Sequence, residues 1–376
     1  MCRRFRDNAA INTSDTSSFL NYKTMNDLLL YGWNETLFQQ KQKSNYKDFI
    51  HGRVTVTHKT CYEVVAESGF YTCELAGNML YGKASSEYPC TGDWVIFQSI
   101  DTDKGIIIDV LPREKTLYRL KSGTVSEKQT IAAFIDKAFI VQSLDDNFNV
   151  RRIERITLQI AGEGIQPVLV LTKTDLGFDR EGTEHALKHI LHQMPVFYTS
   201  TESAESITRL RAFISPGETI VFTGMSGVGK STLINALCGQ AILQTGAISD
   251  STGKGRHTST RREMILMPDA GVLIDTPGIK LFGVTNDNTG NLSEILDISA
   301  YEGKCRYRDC QHVNEKGCAV IEAVEKGDID REVYESYLKL RREAWHYTAS
   351  VHEKRKQERS LSKLLKNYKK SNKQNE

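Results

Sequence analysis

Eight residues restrict the fold of this chain more than any others: Gly224-Met225-Ser226-Gly227-Val228-Gly229-Lys230-Ser231. They match G-x-x-x-x-G-K-[ST], the phosphate-binding loop pattern. Glu218 to Thr223 reads as a buried strand, and Ser231 to Leu237, Thr232 included, as the start of a helix. Glycines are required because the backbone must wrap closely around phosphate oxygens, and only Gly takes those torsions cheaply. The loop N–H groups and the helix N-terminus then face an anion. Lys230 would reach the β/γ-phosphates, and the Ser231 hydroxyl would ligate Mg²⁺. A plain glycine-rich turn is the alternative, so the neighbouring motifs matter.

Thr172-Lys173-Thr174-Asp175 follows another buried strand, Pro167 to Leu171. It has the form [NT]-K-x-D, which reads guanine. A carboxylate at Asp175 accepts hydrogen bonds from guanine's ring N–H and exocyclic amine, a donor pair that adenine lacks. The Lys173 stem would cover one face of the base. Thr at position 172 offers fewer hydrogen bonds than Asn. Asp275-Thr276-Pro277-Gly278 ends a third strand and has the form D-x-x-G, with Asp275 holding Mg²⁺ through water and the Gly278 N–H sensing the γ-phosphate. Taken singly, both tetrapeptides are also ordinary turn sequences.

Between these lies Gly253-Lys254-Gly255-Arg256-His257-Thr258-Ser259-Thr260, which suits a switch segment. One hydroxyl there would close over Mg²⁺: Thr258 is preferred, with Ser259 and Thr260 as rivals. Ile279 stands where a Ras-like enzyme has a water-orienting Gln, so intrinsic hydrolysis is expected to be slow. His257 is the candidate to orient the water, with RNA contact as its alternative role. The catalytic set is thus His257, Lys230 and Thr258.

The motif order is unusual. Ordinary GTPases run phosphate loop, switch, D-x-x-G, then N-K-x-D. Here the guanine motif comes first, as in a chain cut between the two halves and rejoined at the old ends. The segment after Asp275–Gly278 therefore leads into a C-terminal region, which could read out the nucleotide state.

That region contains Cys305-x4-Cys310-x-His312-x5-Cys318. Three thiolates and an imidazole make a closed tetrahedral Zn²⁺ site of structural type, one ion per chain. The other five of the eight Cys (Cys2, Cys61, Cys73, Cys90 and Cys238) are scattered. Without a secretory signal, reduced thiols are the default and a cluster points to metal. Helices are expected over Ala319 to Glu325 and Asp328 to His346. The tail from Val351 carries seven Lys and two Arg against three Glu, which favours a polyanionic partner or a solvated face.

The N-terminal part has a different texture. Residues 1–24 are polar, and a disordered extension is expected there. A short helix is expected from Met25 to about Phe49. Short strands follow over Gly52–Val56, Cys61–Val65, Tyr71–Leu75, Asp93–Phe97 and Gly105–Val110, the pattern of a small OB-like barrel. Beyond Lys121, strands and helices alternate as in a doubly wound sheet. With 376 residues and a net charge of +2, several domains and no polycationic whole are expected. No apolar run approaches a membrane span. The expected fold class is multidomain α/β: extension 1–24, helix plus OB-fold 25–118, circularly permuted P-loop GTPase domain 119–288, and a helical zinc-binding domain with basic tail 289–376.

These motifs together resemble the ribosome small-subunit-dependent GTPase A family (RsgA), circularly permuted bacterial GTPases. Gly92-Asp93-Trp94-Val95, Leu111-Pro112-Arg113 and Gly255-Arg256-His257-Thr258 add to the resemblance. It implies a cytoplasmic monomer that binds GTP/GDP, Mg²⁺ and Zn²⁺. It also implies contact with the small ribosomal subunit and its rRNA late in assembly, and GTP hydrolysis when docked. An RNA-binding module with a slow nucleotide timer, and a permuted GTPase acting on the large subunit, are the alternatives.

Overall fold

Ile50–Thr57 (β1), Tyr62–Ala66 (β2), Gly69–Leu75 (β3), Trp94–Asp101 (β4) and Lys104–Val110 (β5) close a barrel in the order β1-β2-β3-β5-β4. Only β3 and β5 run parallel; the other pairs are antiparallel. This is the expected OB-like barrel. Alternating residues fill it, among them Val54, Val64, Tyr71, Val95, Phe97 and Ile107. The computed structural model describes residues 27–80, 87–120, 128–191, 194–243, 262–267, 269–275 and 292–348. The extension 1–24, the switch with His257, Thr258, Ser259 and Thr260, Gly278 and the tail from Val351 lie outside those residues.

The helix expected from Met25 to Phe49 is shorter than its pattern. Turns run from Leu28 to Gly32, and α1 spans Glu35–Lys43. Asn34 is extended and its side chain accepts from Leu37 N at 3.0 Å, which starts the helix only there. Gly32 sits at φ +87°, against the Gly217 carbonyl, where a side chain has no room.

A hairpin of Leu117–Leu120 (β6) and Lys128–Ala132 (β7) follows the barrel. It straddles residue 118, where the barrel region was expected to end. Then come Lys137–Ser143 (β8), Val150–Gly162 (α2), Gln166–Thr172 (β9), Arg180–Leu191 (α3), Val196–Tyr198 (β10), Ala204–Ala212 (α4), Glu218–Thr223 (β11), Lys230–Cys238 (α5), Met264–Met267 (β12) and Gly271–Asp275 (β13). Among the described residues the sheet order is β10-β9-β8-β11-β13-β12, all parallel except β12. Successive residues of a strand face opposite sides. Thus Ile140, Leu169, Leu171 and Val221 meet Ile153, Ile156 and Ile160 of α2 and Leu187 and Ile190 of α3. Phe139, Val141, Val168 and Phe222 meet Leu210 of α4 and Leu233, Ile234 and Leu237 of α5. Helices on both faces make the sheet doubly wound, and β8 is buried along its length.

Barrel and sheet share one apolar cluster, in which Trp94, Ile96 and Leu111 join Leu117, Ile131 and Ala138. At the seam the buried Arg53 guanidinium donates to the carbonyls of Gly92 (3.0 Å), Phe134 (3.2 Å) and Tyr31. One side chain so ties the N-terminal turns, the barrel and the segment leading into β8. Arg113 makes a two-pronged bond to the buried Asp93 carboxylate at 2.8 and 2.7 Å, which accounts for the Gly-Asp-Trp-Val and Leu-Pro-Arg sequences.

Ala319–Lys326 (α6) and Arg331–Thr348 (α7) build the C-terminal unit. Its apolar cluster takes in Leu158 of α2. Glu154 of α2, fully buried, accepts from Ser336 Oγ of α7, from His189 Nε2 of α3 at 2.8 Å and from Arg151 at 3.1 Å. Among the described residues, no helix is long and apolar enough to cross a membrane.

Candidate active site

Strand order places the site. The chain runs from β8 outward through β9 and β10, then returns to β11 on the other side of β8. Connections leave in opposite directions from the carboxyl ends of β8 and β11, which opens a crevice there. Thr172 ends β9, Thr223 ends β11 and Asp275 ends β13, all at that edge.

The phosphate-binding loop joins β11 to α5. Gly224, Gly227 and Gly229 have φ of +151°, +84° and +92°. A Cβ on Gly224 would collide with the Val141 carbonyl oxygen. Such a cradle accepts only glycine, and its N–H groups face the crevice side of α5. Met225 and Ser226 are exposed at the loop tip, Val228 is buried beneath it, and Ser231 and Thr232 begin the helix. Lys230 is buried and folds back over the loop, donating to Gly224 O at 2.9 Å and Met225 O at 2.7 Å. Burial pushes its ammonium down to about 8, against the pull of the Asp275 carboxylate. Asp275 is itself buried and stands opposite Phe222 in register.

The segment Thr172 to Asp175 touches this loop directly. The Thr172 hydroxyl donates to Val228 O at 2.7 Å. A Cβ on Gly229 would lie 3.8 Å from Thr172 Oγ1, in van der Waals contact. The hydroxyl makes this bond from the position where the other form of the motif carries Asn. Lys173 is left-handed (φ +62°), and Thr174 to Leu176 form one 3-10 turn that carries Asp175 to the surface. Thr174 N reaches Thr199 O at 3.4 Å.

Two partners escaped the sequence reasoning. The Ser200 hydroxyl donates to Asp175 Oδ1 at 2.5 Å and is the main cause holding that carboxyl below its usual range. An ionised Asp175 is what two guanine donors need. Ser200 follows β10, which ends at the same sheet edge, and that position is the one signal available in the sequence. Asp145, just past β8, pairs with Lys173 Nζ at 2.7 Å. One Asp of the Asp145-Asp146 pair in a polar loop gave no signal at all.

The crevice so brings together Thr172, Lys173, Thr174, Asp175, the loop Gly224–Ser231, Thr232 and Asp275. His257, Thr258 and Gly278 belong to segments outside the described residues. The donor set fits a magnesium nucleotide. A hydroxyl (Ser231) and a carboxylate (Asp275) are hard oxygen ligands, and the buried Lys230 ammonium is close enough to feel the Asp275 charge. Mg²⁺ held there would neutralise charge developing on the phosphate oxygens.

The second cluster lies in the C-terminal unit. The ligand atoms of Cys305, Cys310, His312 and Cys318 all fall within 4.8 Å of one another. Cys305 Sγ is 3.5 Å from His312 Nδ1 and 3.9 Å from Cys318 Sγ, and His312 Nδ1 is 3.3 Å from Cys318 Sγ. Tetrahedral Zn²⁺ with bonds near 2.3 Å to sulfur and 2.1 Å to nitrogen puts neighbouring donors about 3.5–3.8 Å apart, so the four residues fit that ion. With four protein donors no position stays open, and the ion would be structural. His312 sits at φ +57°, and its carbonyl accepts from Tyr334 of α7 at 2.6 Å. Arg341 of α7 donates to Gln311 O at 2.9 Å. The metal loop is thus fastened to the helix that packs on α2.

Comparison with known proteins agrees with this geometry. The family model described as RsgA GTPase matches residues 110–285, and one described as 50S ribosome-binding GTPase matches residues 219–372. A Bacteroides thetaiotaomicron protein named small ribosomal subunit biogenesis GTPase RsgA 1 is 63% identical over 345 residues, 92% of this chain and 97% of its own. The fold is similar to that of YjeQ from Thermotoga maritima, with a TM-score of 0.58 and 23% identity over 80% of this chain and 99% of that one. It is also similar to YloQ, described as a circularly permuted GTPase, with a TM-score of 0.55 and 24% identity over 82% and 99%.

Proposed function

Since the chain belongs to the RsgA family of GTP hydrolases, we propose that it hydrolyses GTP while bound to the small ribosomal subunit, late in that subunit's maturation. The observation that carries this reading is the Thr172–Val228 bond, which joins a guanine-reading segment to a phosphate loop in one crevice. The 63% identical relative bears the corresponding name.

In this reading Asp175 and Lys173 take the base, Thr174 shapes their turn, and Gly224 to Thr232 take the phosphates. Lys230 exchanges its two loop carbonyls for phosphate oxygens and stabilises the charge that develops on them. Ser231, Asp275 and Thr258 hold Mg²⁺, Gly278 senses the γ-phosphate, and His257 orients the attacking water. Chemistry of this kind is mostly positioning, so a docked ribosome that completes the site raises turnover. The segment after Asp275–Gly278 carries the nucleotide state to the zinc-binding unit. The barrel and that unit contact rRNA, and the protein works as a cytoplasmic monomer.

The family model matching residues 219–372 is described as 50S-binding, which keeps the large subunit as a second reading. Multiple-turnover GTP hydrolysis with added small subunits, large subunits or free RNA separates them. Stimulation by small subunits alone is expected. Equal stimulation by large subunits, or none by either, overturns the proposal.

A further inference from the structure

We propose that Asp145 is a positioning residue for nucleotide binding: it holds the Lys173 side chain in place before the base arrives. This rests on the guanine-nucleotide reading of the crevice. β8 and β9 are parallel neighbours, with Ser143 opposite Thr172, and Leu144 N donates to Thr172 O at 3.0 Å. Asp145 and Lys173 therefore leave adjacent strand ends that are already tied together. Lys173 Nζ lies 2.7 Å from Asp145 Oδ2. The other carboxylate oxygen accepts from Ser143 Oγ at 2.8 Å and from Asn147 N at 2.9 Å. So Asp145 is fixed by its own loop, and it fixes the lysine. Both side chains are 24% exposed, so the pair is partly shielded from solvent.

A free lysine side chain is among the most mobile, and any ligand that needs it in one place loses affinity to that ordering. A carboxylate that orders it beforehand removes the loss. Lys173 is assigned to the base, remote from the reacting phosphate, so the benefit falls on binding. It is also insensitive to the 2-amino group of guanine, because a lysine stem covers a ring face and reads no ring edge.

The test compares Asp145→Asn with the unaltered protein. Asn keeps acceptor and donor atoms for the Ser143 and Asn147 turn but removes the charge that holds Lys173. Stopped-flow dissociation of a fluorescent GDP analogue, and KM and kcat for GTP, are measured for Asp145→Asn, Lys173→Ala and the double variant. GDP dissociation should quicken and the GTP KM should rise by about three- to tenfold in Asp145→Asn, the range set by ordering one long side chain. Its kcat should change much less, inosine nucleotides should lose the same factor, and the double variant should be no weaker than Lys173→Ala. Unchanged or tighter binding in Asp145→Asn overturns the inference, the latter showing that Asp145 withholds the lysine. Strictly additive effects in the double variant overturn it too. If the unaltered protein binds no guanine nucleotide, the functional reading itself falls, a result distinct from either.

Discussion

Thr172 Oγ1 lies 2.7 Å from the carbonyl oxygen of Val228, a residue 56 positions further along the chain. That bond joins the turn after β9 to the phosphate loop, although the rearranged motif order separates them widely. Each half is a short segment with left-handed or glycine backbone. Joined, they hold base and phosphate sites at a fixed separation.

Thr172→Val keeps the shape and removes the hydroxyl. It leaves a buried carbonyl without this donor, at a cost of about 1–2 kcal/mol in stability. GDP affinity should fall by about tenfold as the two halves loosen. Thr172→Asn, which can reach the same carbonyl, should stay within a few fold. Urea unfolding and GDP titration of both variants check this. A Val variant that binds like the unaltered protein would show that the bond is incidental.

Lys230 should make nucleotide affinity depend on pH. Burial lowers its ammonium to about 8 in the free protein, below the 10.5 of an unfolded lysine. Between those values the unfolded chain holds more protons, so this group's contribution to the free protein's stability rises with pH. Phosphate at the loop reverses the shift, because the bound anion favours the cation. Binding above pH 8 then takes up a proton, and affinity should drop by up to about tenfold per pH unit. Calorimetry at pH 8.5 in buffers of different ionisation enthalpy reads the proton directly. Zero uptake there refutes the linkage.

The legible parts of this molecule were those whose physics is local. The phosphate loop showed because glycine torsions leave a fixed spacing, and the Cys305-Cys310-His312-Cys318 cluster because four donor residues crowd a short segment. Alternating apolar residues marked the barrel and sheet strands. Ser200 and Asp145 were not legible, because each matters only through a partner on a neighbouring strand end. Nothing in the expected strand Gly52–Val56 shows that Arg53 is buried against three carbonyls. The start of α1 moved to Glu35 because Asn34 caps it, a local signal that the broader helical pattern masked.

Zinc removal should act on the C-terminal unit and spare the barrel. Structural zinc contributes on the order of 10 kcal/mol in small metal-dependent folds, and among the described residues this unit has two longer helices to stabilise it otherwise. Elemental analysis should find about one zinc per chain, and Cys310→Ser or prolonged chelation should abolish it. Amide exchange should then quicken across residues 292–348, while Val95 and Ile107 in the barrel stay protected. Equal exchange in both forms would mean that the metal stabilises nothing.

Glu154 is the strongest test of how that unit is held. Its carboxylate is fully buried on α2 and receives hydrogen bonds from α7, α3 and its own helix through Ser336, His189 and Arg151. Glu154→Ala leaves these donors in the interior without their acceptor, and breaking a buried charged cluster from one side costs about 3–5 kcal/mol. Ser336→Ala removes one neutral donor and should cost about 1–2 kcal/mol. The two losses should not add, since Ser336 has lost its acceptor in the Glu154 variant. Both should loosen α7 from α2, exposing Leu158 and raising protease sensitivity after residue 291 more than within the sheet. A double-mutant cycle in urea gives the coupling. A value near zero would mean that the Glu154–Ser336 bond does not hold the C-terminal unit, leaving its apolar contacts and the Arg155–Glu343 and Arg151–Glu332 ties.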